Sequence, residues 1–75
     1  MAEKFLDCMG DACPAPLMKA QNELAAMKAG DVLTLNVDYI CAMKNVPAWA
    51  REQGYNVEVK EIDEDEWDIV IEKTK

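Results

Sequence analysis

Residues Tyr55 to Lys73 read YNVEVKEIDEDEWDIVIEK, and the fold of the chain turns on them. Tyr55, Val57 and Val59 recur at every second position, and so do Trp67, Ile69 and Ile71 against Asp68, Val70 and Glu72. Successive side chains of a strand point to opposite faces, so each run is a strand with one apolar face. Asp63-Glu64-Asp65 is the turn between them, and two such strands joined by a short polar link form a hairpin. The acidic run EIDEDEWD around that turn reads as a solvated surface.

Working back from the hairpin, Gly54 closes a helix. The stretch YICAMKNVPAWAREQG (Tyr39 to Gly54) is expected to be a loop followed by that helix, with Met43, Val46 and Ala50 on one face and Trp49 beside them. A proline in a helix interior costs about 3 kcal/mol, which places Pro47 in or near the first turn. Cys41, Lys44 and Asn45 then belong to the loop. Before it, DVLTLNVD (Asp31 to Asp38) alternates Leu33, Leu35 and Val37 with Thr34 and Asn36, a strand with one buried face. From Pro14 onward Leu17, Ala20, Leu24 and Met27 fall at spacings of three, four and three, one face of a helix that Gly30 is expected to close, with Lys28 in its last turn. KFLD (Lys4 to Asp7) is a short first strand, broken by Gly10 and Asp11.

The order β-α-β-α-β-β, with two amphipathic helices and strands of one apolar face, predicts an α/β chain of the two-layer (α+β) sandwich type. One four-stranded mixed sheet carries both helices on the same face, in a single domain spanning 1–75. Seventy-five residues make one domain with a thin core. A net charge of −7 argues against nucleic acid, whose binding rests on a basic surface, and favours basic partner surfaces. Neither a secretory signal nor a run of about 18 apolar residues is visible, and an odd cysteine count does not suit a closed disulfide framework. The expectation is a cytoplasmic protein with reduced thiols and no membrane span. The absence of histidine removes Cys-His nucleophile pairs, Ser-His-Asp triads and imidazole metal sites.

The chemistry concentrates in LDCMGDACPAPLMKAQNEL (Leu6 to Leu24). Pro14 follows Cys13, and proline suits the first position of a helix. Cys13 is then placed near the N-cap, where unbonded amides and the positive end of the helix dipole favour thiolate, the nucleophilic form. Pro16 stiffens the same turn. A buried cysteine filling space beside a proline turn is the competing reading.

In this setting CPAP (Cys13 to Pro16) matches the Cys-Pro-x-Pro signature of the TusA-like, or SirA-like, sulfur carriers, and the chain resembles that family along nearly its whole length. Leu6, Asp7 and Gly10 precede the motif as in the family pattern. Gly30 and Asp31 stand before the second strand, Asp38 ends it, and Val46, Pro47 and Gly54 match the second helix. The resemblance is to the YeeD-like branch, whose members are associated with thiosulfate uptake and use. It implies a βαβαββ sandwich in which Cys13 carries sulfane sulfur as a persulfide, with Gly10, Pro14 and Pro16 as supporting residues. The sulfur comes from thiosulfate or a donor protein and goes to an acceptor protein, with no cofactor and no metal.

Two cysteines lie outside that signature. Cys41 reads either as a packing residue or as a thiol that attacks the Cys13 persulfide or holds a second sulfur, and Cys8 either as a packing residue or as a disulfide partner of Cys13. Neither pair has Cys-x-x-Cys spacing, and three thiols make a poor zinc site. Asp11 would repel a thiolate, and Lys19 is expected to point away. Lys44 and Asn45 are candidate contacts for an anionic donor. A regulatory or transporter-partner module without catalysis, and a thiol redox switch, are the alternative functions.

Overall fold

The computed structural model describes residues 2–10, 15–38 and 40–74, with the backbone alone at 41–43. It contains β1 (Glu3–Cys8), α1 (Ala15–Ala26), β2 (Val32–Val37), α2 (Ile40–Glu52), β3 (Asn56–Asp63) and β4 (Glu66–Glu72). The strands form one sheet in the order β1-β2-β4-β3. β1 and β2 are parallel, joined through α1, while β4 is antiparallel to both β2 and β3. The sheet is therefore mixed, as the alternation and the helical crossovers require. The crossover through α2 leaves β3 parallel to β2 but one strand removed, and β4 folds back into the gap.

One face of this sheet is the core. Leu33, Leu35 and Val37 of β2 and Ile69 and Ile71 of β4 have no exposed surface, and Val46 and Ala50 of α2 and Ala20 and Leu24 of α1 close over them. Leu17, Trp49, Tyr55, Val57, Val59 and Trp67 pack at its margin. α1 lies against β2 and α2, and α2 lies against β3 and β4, so both helices cover the same face.

The second helix differs from its expected shape. It begins at Ile40, so Pro47 stands two turns inside it, and Cys41, Lys44 and Asn45 belong to the helix and not to a loop. Pro47 withholds the amide that would bond the Met43 carbonyl. Tertiary burial offsets this loss, since Val46, Pro47 and Ala50 all face the interior. The predicted face of Met43, Val46 and Ala50 is seen at its last two members, the Met43 side chain lying outside the described residues.

The helix ends divide in the same way. Gly54, at φ +84°, closes α2 with its own N–H donating to the Arg51 carbonyl and that of Tyr55 to the Ala50 carbonyl, the paired bonds of a Schellman cap. Tyr55 then meets Trp49 edge-on, with ring centroids 6.0 Å apart. Gly30 does not cap α1, which stops at Ala26, so Lys28 is not in its last turn. The Lys73 ammonium caps α1 instead, donating to the carbonyls of Leu24 and Met27. Gly30 serves the turn into β2, where its N–H donates to the Lys73 carbonyl at 2.7 Å.

Candidate functional site

Cys13, Pro14 and Asp11 lie outside the described residues, and so does the side chain of Cys41. The frame around them is described. β1 and β2 run parallel, so Cys8 and Val37 stand side by side at one end of the sheet. The hairpin turn reaches the same end, because Trp67 pairs with Val37. Both strand-to-helix connections leave from here, and the one after β1 carries the motif.

Gly10 takes a φ of +81°, a left-handed backbone that costs other residues roughly 1 kcal/mol or more. Among the described residues, its chain neighbours apart, no atom lies within 4 Å of where a side chain would begin, so backbone conformation calls for glycine. The Gly10 N–H donates to Asp38 Oδ1 at 3.0 Å, which ties the first connection to the end of β2. The Met9 N–H donates to Asp7 Oδ1 at 3.0 Å. On the far side of the motif α1 starts at Ala15, two residues after Cys13, and Pro16 is buried in its first turn. The first N–H groups of a helix have no partner within it, so the lack of one at Pro16 costs nothing there.

Met9, Asp38, Asp63, Glu64, Asp65 and Glu66 line an open hollow of about 550 Å³ at this end. Five carboxylates therefore stand around the departure of the motif-bearing chain, and Met9 is 43% exposed among them. Cys8 is fully buried in the core. Lys44 and Asn45 are exposed on the second turn of α2, and Lys19 is exposed on α1. No group of three or more cysteine, aspartate or glutamate side chains among the described residues has the geometry of a metal site.

The bond from Gly10 to Asp38 gives a role to an aspartate that the sequence marked only as a strand end. An acidic residue closing a strand, with a glycine turn after the neighbouring strand, is the signal that points to it. Asn36 left no such trace. It is buried in β2 on the face away from the helices, and its amide donates to Glu66 Oε2 and Asp68 Oδ1, both at 2.9 Å.

A family model described as Sulfurtransferase TusA matches residues 4–73. Two relatives carry the name "Putative sulfur carrier protein". TsuB of Escherichia coli is 35% identical over 97% of this chain and 99% of its own, and MJ0990 of Methanocaldococcus jannaschii is 37% identical over 97% of each. The crystal structure of a SirA-like protein from Desulfitobacterium hafniense superposes with a TM-score of 0.88 at 30% identity, covering 96% of this chain and 99% of that one. The matched span takes in all four strands and both helices.

Proposed function

Because the chain belongs to the TusA family of sulfur carriers, we propose that Cys13 is its sulfur-bearing thiol, held as a persulfide between donor and acceptor. The observation that carries this reading is the frame around CPAP: the Gly10 amide is bonded to Asp38 before it, α1 begins at Ala15 within it, and in sequence Cys13 stands two residues before that start. That setting favours thiolate at the moment of attack. Pro14 and Pro16 stiffen the turn, and Gly10 supplies its sharp entry.

The chemistry is two displacements at sulfur. The Cys13 thiolate attacks the sulfane sulfur of a donor, a sulfur–sulfur bond forms, and the donor's remainder leaves with the electron pair. With thiosulfate that remainder is sulfite; with a donor protein's persulfide it is the donor thiolate. The acceptor thiolate then attacks the outer sulfur, and Cys13 departs as thiolate. Neither step consumes an oxidant or a reductant. Carboxylates at this end of the sheet oppose a free dianion, which favours delivery by a donor protein, while Lys44 and Asn45 on exposed α2 are the contacts for thiosulfate if it is used directly. The YeeD-like placement and a transporter as partner rest on the motif context.

Among the described residues no helix is long and apolar enough to cross a membrane. We place the protein in the cytoplasm, as one domain that meets its donor and acceptor there. Burial of Cys8 favours packing as its role, and Cys41 is kept as the second thiol to test.

Intact mass after incubation with thiosulfate, or with a cysteine desulfurase and cysteine, is the test. The wild-type chain gains one sulfur atom and Cys13→Ser gains none. Equal loading of the variant would end the proposal. A Cys13–Cys41 disulfide formed under mild oxidant in place of loading would move the reading to a redox switch.

A further inference from the structure

Among the described residues no element covers the face of the sheet turned away from the helices. Alternation puts Phe5 of β1, Val32 and Thr34 of β2 and Val70 of β4 on it, since their strand neighbours Leu33, Leu35, Ile69 and Ile71 fill the core. Register lines up Phe5, Thr34 and Val70 across three strands. Phe5 is 62% exposed. Beside this row lies a shallow hollow of about 310 Å³, lined by Val32, Val70 and Glu72 and by Asn56, Val57 and Glu58 of edge strand β3.

Around the apolar row the charge is nearly all of one sign. Among the described strand residues, Glu3, Asp7, Glu58, Glu66, Asp68 and Glu72 share the face with a single cation, Lys60, which sits opposite Asp68. Five of the six other described cations belong to the helix side, and Lys28 lies in the connection before β2. Lys4 pairs with Glu23 of α1 at 3.1 Å, Lys73 caps α1, and Lys19, Lys44 and Arg51 lie on the helices. The amide of Asn36 holds Glu66 and Asp68 in place, so this part of the acidic rim is fixed before any contact.

We infer that this open face docks a partner protein that presents lysine or arginine side chains around an apolar one. The partner's apolar group covers the Phe5–Thr34–Val70 row, and its cations meet the carboxylates. A second copy of the chain is a poor occupant, because six carboxylates would face six. Four strands spaced about 4.8 Å, each with roughly six residues rising about 3.3 Å, give a face near 20 by 20 Å. That is about 400 Å² a side, the size of contacts that form and release readily. The inference stands on the distribution of charge and apolar surface and does not depend on Cys13.

The test is an amide NMR titration of the Cys13→Ser chain with two hexapeptides, one alternating lysine and leucine and one alternating glutamate and leucine. The lysine peptide is expected to shift the amides of Phe5, Thr34 and Val70, to lose affinity as salt is raised, and to bind about tenfold more weakly to Glu58→Lys/Glu72→Lys. Phe5→Ser weakens it as well, while both variants keep the wild-type pattern of core amides. Shifts centred on α1 and α2, equal binding of the glutamate peptide, unchanged affinity in the charge variant, or self-association through this face on sedimentation would each overturn the inference.

Discussion

At the end of the sheet where β1 begins and β4 finishes, hydrogen bonds lace distant segments together. Asp31 accepts from the amides of Ala2 and Lys28, both at 2.9 Å. Lys73 reaches α1 with its side chain and residues 30 and 31 with its backbone, and Thr74 donates to the Gly54 carbonyl at 2.9 Å. At the opposite end the described bonds of Met9 to Asp7 and Glu64 to Asp63 are local, while those of Gly10 to Asp38 and Asn36 to Glu66 join segments 28 and 30 residues apart. One end is fastened by residues far from the motif. The other bears the motif and the ring of carboxylates around its departure.

If that division is right, changes at the two ends should separate stability from sulfur loading. The largest effect is Cys13→Ser: loading measured by mass falls to nothing, while urea denaturation moves by less than about 0.5 kcal/mol, as for a surface substitution. Lys73→Met should do the reverse. It strips two charged bonds from the carbonyl end of α1, lowering stability by about 1.5 kcal/mol and the melting temperature by several degrees, with the rate of loading kept. Asp38→Ala tests the motif-bearing end. It frees the Gly10 amide, whose hydrogen exchange should speed up about tenfold, with a stability loss of only about 0.5–1 kcal/mol. A larger global loss would mean that this end is fastened as firmly as the other.

The smallest effect is one of pH. The backbone amides of Lys28 and then Ala2 hold the Asp31 carboxyl below its ordinary value of 3.8. A lowered carboxyl contributes stability above its unfolded value and loses it as pH falls through the folded one. Asp31→Asn should therefore be less stable than wild type at pH 7, and the two melting curves should converge below pH 4. A constant gap across that range would assign the loss to geometry and not to charge.

The ties between distant segments were the hardest feature to read from sequence. Alternation in Val32–Val37 and Glu66–Glu72 and the 3-4-3 spacing from Leu17 to Met27 reveal their elements because each pattern is local. Lys73 lies 49 residues from Leu24, and Asn36 lies 30 from Glu66, so their bonds exist only once the sheet has formed. Pro47 misled for a related reason. Its cost argues for a helix start, but burial of Val46 and Ala50 outweighs that cost in the folded chain. Local pattern is equally silent on β4 lying between β2 and β3. The role proposed for Cys13 rests on residue types and spacing, and Asp38 was legible as a strand end, though not the amide it holds.

The strand order has a consequence for the chain as it leaves a ribosome. β2 gains its second neighbour only from β4, which is translated after β3. β4 is the last of the six elements to leave, and a chain in which it has not yet docked has a bare flank on β2 and no neighbour for β3. Until β4 docks, such a chain is open to pairing with the wrong molecule, so folding should be most sensitive to chaperone supply before that step.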